Sequence, residues 1–502
     1  MRHSFIQAPS QFLMRLEYLA KSFKFVYILL SVSKKILIAN RGEIVIRIAK
    51  TCRKLDIVPC GIYSNADKNS LHIKHCKHTI NIGGTMPSES YLRIDRIIDA
   101  AKKLECDLIH PGYGFLSENR KFTESCKKEG LIFVGPSSKV VRIAGDKVMA
   151  RRIASKVSPV VEGYEVSNES NALDITESMG YPVILKAAEG GGGRGLRIVR
   201  SSEQLKDAFL SSKSESTLSF GSGRLYVEKY LENPRHIEIQ ILADADKSNI
   251  IHLGERECTI QRRHQKLIEE TPSPALTSEM RKRIAEKAIA IMKEIEYENA
   301  GTVEFLFKDG RFYFMEVNAR IQVEHPITEA VTGVDIVEQQ LSIALGIGLH
   351  LKQRDIKSKG HAIECRINAE HPISFIPFPG TIKKFMPPEE DGVRIDHALY
   401  AGYTIPAFYD SLIAKLICVG IDRHESIEKM RRSLSSFRIS GIPSTIPFHI
   451  SALSDRRFVE GIYNTSFIDE MNLLLSKEGE KAAAILLPYS RRRWNLSRVL
   501  GR

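Results

Sequence analysis

Four consecutive glycines, Gly190 to Gly193, interrupt two apolar, strand-like segments in Ile184-Leu-Lys-Ala-Ala-Glu-Gly-Gly-Gly-Gly-Arg-Gly-Leu-Arg-Ile-Val199. Glycine loses more backbone freedom on ordering than any other residue, so such a run cannot be the interior of a helix or strand. It reads as a turn between two strands. The letters also spell G-x-G-x-x-G at Gly190, Gly192 and Gly195. A dinucleotide fingerprint, however, opens a helix after its glycines, whereas here a β segment follows, and the Gly-Lys-Ser/Thr of a P-loop is absent. A strand, a polyglycine turn and a returning strand make a hairpin flap whose bare backbone N–H groups can close over phosphates, with Lys186 on the incoming strand facing the same anion. A tight hairpin alone requires fewer glycines.

The remainder of the chain supplies a setting for such a flap. Its 502 residues allow about three domains, and 43% hydrophobic with 26% charged residues is ordinary for a globular protein, which excludes a disordered or polytopic membrane chain. From Lys35-Ile-Leu-Ile-Ala, through the loop Asn40-Arg-Gly-Glu43 and a helical spacing over 44–55, to a strand over 58–63, the pattern alternates as in an open, mostly parallel sheet. The glycine- and proline-punctuated loop His110-Pro-Gly-Tyr-Gly-Phe-Leu-Ser-Glu-Asn119 follows another strand, where such sheets place binding surfaces. Beyond about residue 145, β segments over 182–187, 196–200, 236–243, 302–307 and 311–317 predict an α+β region with antiparallel sheets. A third region, 361–467, mixes strands with a helix over 425–437.

A net charge of +13 would suit a polyanionic partner if it were clustered in the body. Residues 1–35 hold six Lys/Arg against one Glu and residues 477–502 hold seven against two, so each end carries +5 and the 441 residues between them only +3. No basic stripe with interleaved aromatics runs through the body, which argues against nucleic-acid binding. Eight scattered cysteines without a C-x-x-C pair predict free thiols in a reducing, cytoplasmic setting. The His72, His75, Cys76, His78 cluster fits no common zinc spacing and reads as a polar surface. The apolar run over 25–30 is too short to span a bilayer, so no stable membrane insertion is expected. Residues 1–33 read as an extension outside the mature protein and 476–502 as a basic, solvated tail.

Two further stretches carry chemistry. In Gly301-Thr-Val-Glu304-Phe-Leu-Phe-Lys-Asp-Gly-Arg-Phe-Tyr-Phe-Met-Glu316-Val-Asn318, strand alternation aims both glutamates away from apolar neighbours. A three- or five-residue loop around Asp309-Gly310 places Glu304 and Glu316 on one face. Two adjacent carboxylates need a cation between them, and oxygen ligands from Glu304, Glu316 and Asn318 suit Mg2+ or Mn2+ held jointly with nucleotide phosphates. Next, Arg320, Gln322 and Glu324 alternate along Asn318-Ala-Arg-Ile-Gln-Val-Glu-His-Pro, an arrangement able to bind and deprotonate a small oxyanion. Gln261-Arg-Arg-His-Gln-Lys266 adds dense positive charge.

Together with Gly145-Asp-Lys147, Glu228-Lys-Tyr-Leu-Glu-Asn-Pro-Arg-His236-Ile-Glu-Ile-Gln240 and Gly360-His-Ala-Ile-Glu-Cys-Arg366-Ile-Asn-Ala-Glu370, these elements resemble biotin carboxylase, the ATP-grasp component of biotin-dependent carboxylases, over roughly residues 34–475. The resemblance implies an α/β and α+β architecture: an N-terminal open parallel sheet domain (34–146), an ATP-grasp domain (147–345) with a glycine-rich flap over about 158–228, and a biotin carboxylase C-terminal domain (360–469). It implies ATP contacts from Lys147, Lys186, Gly191, Gly192, Gly193, Glu228, Lys229, Leu231, His236, Gln261 and His264, metal ligation by Glu304, Glu316 and Asn318, and a bicarbonate site of Arg320, Gln322 and Val323. Lys266 resembles the lysine that meets the γ-phosphate and bicarbonate, Glu324 the base, and Arg366 the group stabilising the enolate of biotin's ureido ring.

The implied reaction uses ATP and two Mg2+ or Mn2+ ions to phosphorylate bicarbonate, and carboxylates biotin with the CO2 released from carboxyphosphate. The only Met-Lys, Met292-Lys293, falls in an amphipathic helix, so biotin is expected on a separate carrier protein, with the carboxyltransferase on a further chain. The resemblance further implies a homodimer and, for the acceptor, an acyl-CoA, with a two-subunit pyruvate carboxylase as the alternative. Another ATP-grasp ligase, such as a carbamoyl-phosphate synthase or purine-pathway carboxylase, is disfavoured by the Arg366 motif. A degenerate nucleotide-binding regulator is disfavoured because every ionic role is filled.

Overall fold

Short apolar strands followed by amphipathic helices build the first layer of the molecule. Strands β1 (Lys35–Ile38), β2 (Val58–Tyr63), β3 (His78–Asn81), β4 (Leu108–His110) and β5 (Ile132–Phe133) pair in parallel in the order β3-β2-β1-β4-β5. Ile36, Leu37 and Ile38 are all fully buried, as expected of a central strand covered on both faces. The helix Glu43–Lys54 turns Ile44, Val45, Ile48 and Cys52 into this core. The computed structural model describes residues 34–188, 196–220 and 222–471. The expectations for the N-terminal extension (1–33), for Gly191, Gly192 and Gly193 and for the basic tail (476–502) lie outside the described residues.

The second unit is a small sheet of β6 (Gly163–Val166), β7 (Val183–Ala187), β8 (Arg197–Val199) and β9 (Leu225–Lys229), antiparallel in the order β6-β9-β7-β8. Its one apolar face closes on Leu205 and Phe209 of the helix Ser202–Phe220 and on Ala172 of the helix Glu169–Met179. β7 and β8 are the two arms flanking the polyglycine segment, paired from Val183↔Val199 to Leu185↔Arg197.

The third unit is an antiparallel sheet of eight strands: β10 (Arg235–Ala243), β11 (Ile250–Arg262), β12 (Gln265–Thr271), β13 (Asn299–Lys308), β14 (Arg311–Asn318), β15 (His361–Asn368), β17 (Val393–His397) and β18 (Leu412–Gly420), with β16 (Lys384–Met386) and β19 (Arg438–Ser440) pairing separately. The order is β14-β13-β10-β11-β12-β15-β18-β17, so one continuous sheet runs from the carboxylate hairpin into the C-terminal region through the β12–β15 ladder. Alternation sorts its two faces. On β10 and β13, Ile237, Ile239, Val303 and Phe305 pack with Ile284, Ala288 and Ile291 of the helix Ser278–Ile295. His236, Glu238, Gln240, Thr302 and Glu304 point the other way, making a buried polar face.

The carboxylate hairpin turns more tightly than expected. Lys308 pairs with Arg311 across a two-residue turn, Asp309 at φ 50° and Gly310 at φ 74°, in place of a three- or five-residue loop. Both central residues of such a turn need positive φ, which Asp-Gly tolerates. A two-residue turn alone would set Glu304 opposite Met315. A register shift between Glu304 and Phe305, where Phe305 pairs with Phe314, inserts one residue and brings Glu304 directly opposite Glu316. All eight cysteines are free thiols, and among the described residues no helix is long and apolar enough to cross a membrane.

Candidate active site

Lys266 is the hub of the polar face. Its ammonium lies 2.6 Å from Glu238 Oε2, 3.0 Å from Glu304 Oε1 and 2.6 Å from Glu324 Oε1. These carboxylates arrive from β10, from β13 and from the N-cap of the helix His325–Thr332. Burial opposes the lysine's charge, but the Cys258 thiol and the three carboxylates hold its pKa well above the usual value. Burial likewise opposes ionisation of Glu324, which is fully buried; Lys266, Arg366 and Arg256 nevertheless hold it well below the ordinary carboxylate range. Glu304 is depressed in the same way, with Lys266 and His236 outweighing desolvation.

Around the hub each neighbour has a distinct job. Arg366 on β15 donates from Nε to Glu269 Oε1 at 2.5 Å and from Nη2 to Glu324 Oε2 at 3.1 Å, so it faces the same carboxylate as Lys266 from the other side. Arg320 donates to Gln322 Oε1 at 2.8 Å, to Asn318 Oδ1 at 2.9 Å and to Glu118 Oε2 at 2.9 Å. Gln322 and Asn318 in turn each donate to Glu304 Oε1 at 2.9 Å. His236 Nε2 stands 2.8 Å from Glu304 Oε2, with Gln261 3.5 Å from its other ring nitrogen. The segment 318–324 therefore brings Asn318 and Gln322 directly onto Glu304, with Arg320 held behind them and Glu324 turned to Lys266 and Arg366.

The nucleotide side is less tightly knit. Lys147 opens the helix Lys147–Ala154 and lies 3.5 Å from Glu316 Oε2, while its backbone N–H donates to Ala188 at the mouth of the glycine segment. Lys186 on β7 pairs with Glu228 on β9, whose other oxygen accepts from Arg151 at 2.9 Å. The Lys229 ammonium is occupied by the carbonyls of Met179, Gly180 and Tyr181, and its backbone N–H donates to the Glu162 carbonyl at 2.9 Å. Leu231 is half-buried just after β9, and His264 is exposed in the turn joining β11 to β12. Val323 offers its carbonyl to Lys415 at 2.9 Å.

Glu304 and Glu316 face each other across the hairpin and offer the hard carboxylate oxygens that suit a divalent cation, whereas Asn318 turns its amide nitrogen to Glu304 and its oxygen to Arg320. Sequence reasoning missed four members of the network: Glu238, Arg256, Glu269 and Glu118. Arg256, fully buried, holds Glu238 Oε1 at 2.5 Å and Gln240, Thr302 and Thr328 at 2.8 to 3.0 Å. The available signal was the alternation His236-x-Glu238-x-Gln240, polar residues on one face of an otherwise apolar strand.

Family models for the biotin carboxylase N-terminal domain, the carbamoyl-phosphate synthase L chain ATP-binding domain and the biotin carboxylase C-terminal domain match residues 32–141, 146–352 and 364–470. Biotin carboxylase 1 of Bacillus subtilis is 47% identical over 447 residues, covering 88% of this chain and 99% of that protein. The chain belongs to the biotin carboxylase family. It is an ATP-dependent ligase with an ATP-grasp fold. A pyruvate carboxylase subunit of Methanothermobacter thermautotrophicus is 49% identical over 451 residues, 89% of this chain and 92% of that one. Among solved structures, the biotin carboxylase domain dimer of Hydrogenobacter thermophilus 2-oxoglutarate carboxylase, in complex with MgADP, ADP and bicarbonate, superposes with a TM-score of 0.85 at 43% identity, over 87% of this chain and 97% of that one.

Proposed function

We propose that this biotin carboxylase transfers the γ-phosphoryl group of ATP to bicarbonate and passes the resulting CO2 to biotin borne on a separate carrier protein. The observation that carries the reading is the convergence of Lys266 and Arg366 on opposite oxygens of the buried Glu324. Arg320, Gln322 and the Val323 backbone hold bicarbonate, and Glu324 removes its proton. Attack of the bicarbonate oxygen on the γ-phosphorus releases ADP and forms carboxyphosphate, which breaks down to CO2 and phosphate. The phosphate so released takes the proton from N1' of biotin, and N1' attacks CO2 while Arg366 faces the ureido oxygen.

The low pKa of Glu324 makes it a weak base while Lys266 is bound to it. An incoming γ-phosphate that draws Lys266 away removes that brake, so basicity rises only when nucleotide is in place. Lys147, Lys186, His236 and the flap backbone bind the nucleotide, with residues 228–231 reaching its adenine end and Gln261 and His264 at the rim. Glu304, Glu316 and Asn318 would hold Mg2+ or Mn2+, which offsets charge on the phosphates.

Carboxybiotin then passes to a carboxyltransferase partner, which selects the acceptor. Relatives named for pyruvate and 2-oxoglutarate carboxylases widen the expected acceptors from acyl-CoA to 2-oxo acids. A homodimer is the proposed assembly, supported by the dimeric Hydrogenobacter domain. Free biotin added to the enzyme with ATP, Mg2+ and bicarbonate is expected to accelerate ADP formation severalfold; well-folded protein showing no biotin-dependent turnover overturns the reading.

A further inference from the structure

Lys415 lies on β18, far in sequence from every residue assigned above, and is fully buried. Its ammonium donates to the Val323 carbonyl at 2.9 Å and lies 3.1 Å from Glu43 Oε1 and 3.9 Å from Asp396 Oδ2, below the Tyr113 ring at 5.9 Å from its centroid. These partners come from three places: the Asn40-Arg-Gly-Glu43 loop and Tyr113 of the parallel-sheet domain, the anion-facing segment 318–324, and β17 of the C-terminal region. Tyr113 donates its hydroxyl to the same Glu43 oxygen. We propose that Lys415 is a positioning residue for the oxyanion site, fixing the Val323–Glu324 peptide and so aiming the Val323 N–H and the Glu324 carboxylate together at bicarbonate.

Several features point to this role. A buried ammonium needs strong reasons to stay charged; burial works against Lys415, and Glu43, Glu364 and Asp396 hold its pKa above the usual value, with Arg394 opposing them. Glu364, cross-strand from Glu269 and two residues from Arg366, keeps both carboxyl oxygens buried without a hydrogen-bond partner, and burial, together with Glu269, pushes its pKa well above the ordinary carboxylate range against the opposing pull of Lys415 and Arg366. The hydrogen bond to Val323 is to the peptide immediately preceding the base. A shift of one ångström there moves Glu324 out of line with both Lys266 and Arg366. No other described side chain donates to the Val323 carbonyl.

The inference rests on residues 318–324 being the bicarbonate site, and two sets of variants keep the two ideas apart. Arg320→Ala tests the site itself: bicarbonate KM should rise at least tenfold, and no rise overturns the assignment of the site. Lys415→Met tests the positioning role by steady-state kinetics with ATP and bicarbonate varied separately. Bicarbonate KM is expected to rise about tenfold, and kcat to fall, while ATP KM stays within about twofold, and Lys415→Arg should recover most of the loss. Equal shifts in both KM values, or none in that for bicarbonate, overturn the proposal even where Arg320→Ala behaves as expected. Should Lys415→Met not fold, Lys415→Arg and Glu43→Gln are measured instead. A bicarbonate-selective rise of about threefold in either supports the role, and its absence in both overturns it.

Discussion

The floor and the roof of the site place their charges in different surroundings. On the floor, the side chains of Lys266, Glu238, Glu304 and Glu324 are between 0% and 11% exposed, and each ion touches several partners. On the roof, the pairs Arg197–Glu215, Arg200–Glu232 and Arg224–Glu165 have side chains 34% to 59% exposed. Buried ions are costly unless fully satisfied, so the floor is a set of mutual obligations that holds only in one geometry. Exposed pairs contribute little and constrain little. The floor is thus preorganised, whereas the exposed pairs of the β6–β9 unit impose few demands on its position, and the buried Glu228, which also holds Lys186, ties that unit through Arg151 to the helix Lys147–Ala154.

The largest expected effect comes from the centre of the floor. Glu324→Gln preserves shape but leaves no base and only a neutral partner for Lys266 and Arg366, so kcat should fall by about 10³-fold or more, with ATP affinity, measured by calorimetry, retained. Comparable loss of nucleotide affinity would erase the distinction between floor and roof. The sheet beneath the floor supplies the second test. On β12, burial works against Glu270 but His361 and Arg423 lower its pKa to about 2. A carboxylate depressed this far stabilises the fold above the unfolded value of about 4.3, by about 3 kcal/mol, and loses that contribution as pH falls through both values. The melting temperature of Glu270→Gln should therefore lie well below the parent's at pH 7, with the gap narrowing as pH falls from about 5 towards 2. A gap independent of pH contradicts the assignment.

Smaller effects are expected on the roof. Lys186→Met leaves the buried Glu228 only its bond to Arg151, so stability should fall by about 1–3 kcal/mol while KM for ATP rises about tenfold from one lost charge-assisted contact. Arg200→Ala removes one member of a pair with side chains 59% and 57% exposed, and a shift above about 0.5 kcal/mol in urea unfolding would show the roof to be more tightly bound than its exposure indicates.

Much of this is legible in the linear chain. The strand–glycine–strand pattern locates the arms β7 and β8, and the alternation in 301–318 and 318–324 picks out Glu304, Glu316, Arg320, Gln322 and Glu324. The hairpin also exposes the limit. The spacing around Asp309-Gly310 predicts a three- or five-residue loop, whereas the turn has two residues, and the inserted residue that brings Glu316 opposite Glu304 leaves no local signature. Glu238 and Arg256 escape notice because a charged residue in an apolar strand reads as exposed until its buried partner is known. Lys415 escapes because its partners Val323 and Glu43 come from remote segments of the chain.

Alone, the chain's sequence determines which segments are strands or helices, which face of each is apolar, and which chemical types stand ready near the glycine flap, because period and turn chemistry act over a few residues. Only the tertiary structure decides that Lys266 meets carboxylates 28, 38 and 58 residues away. Those meetings depend on strand order, register and the irregularities in the β10–β11 and β11–β12 ladders, and burial then makes each charge depend on the others for its ionisation.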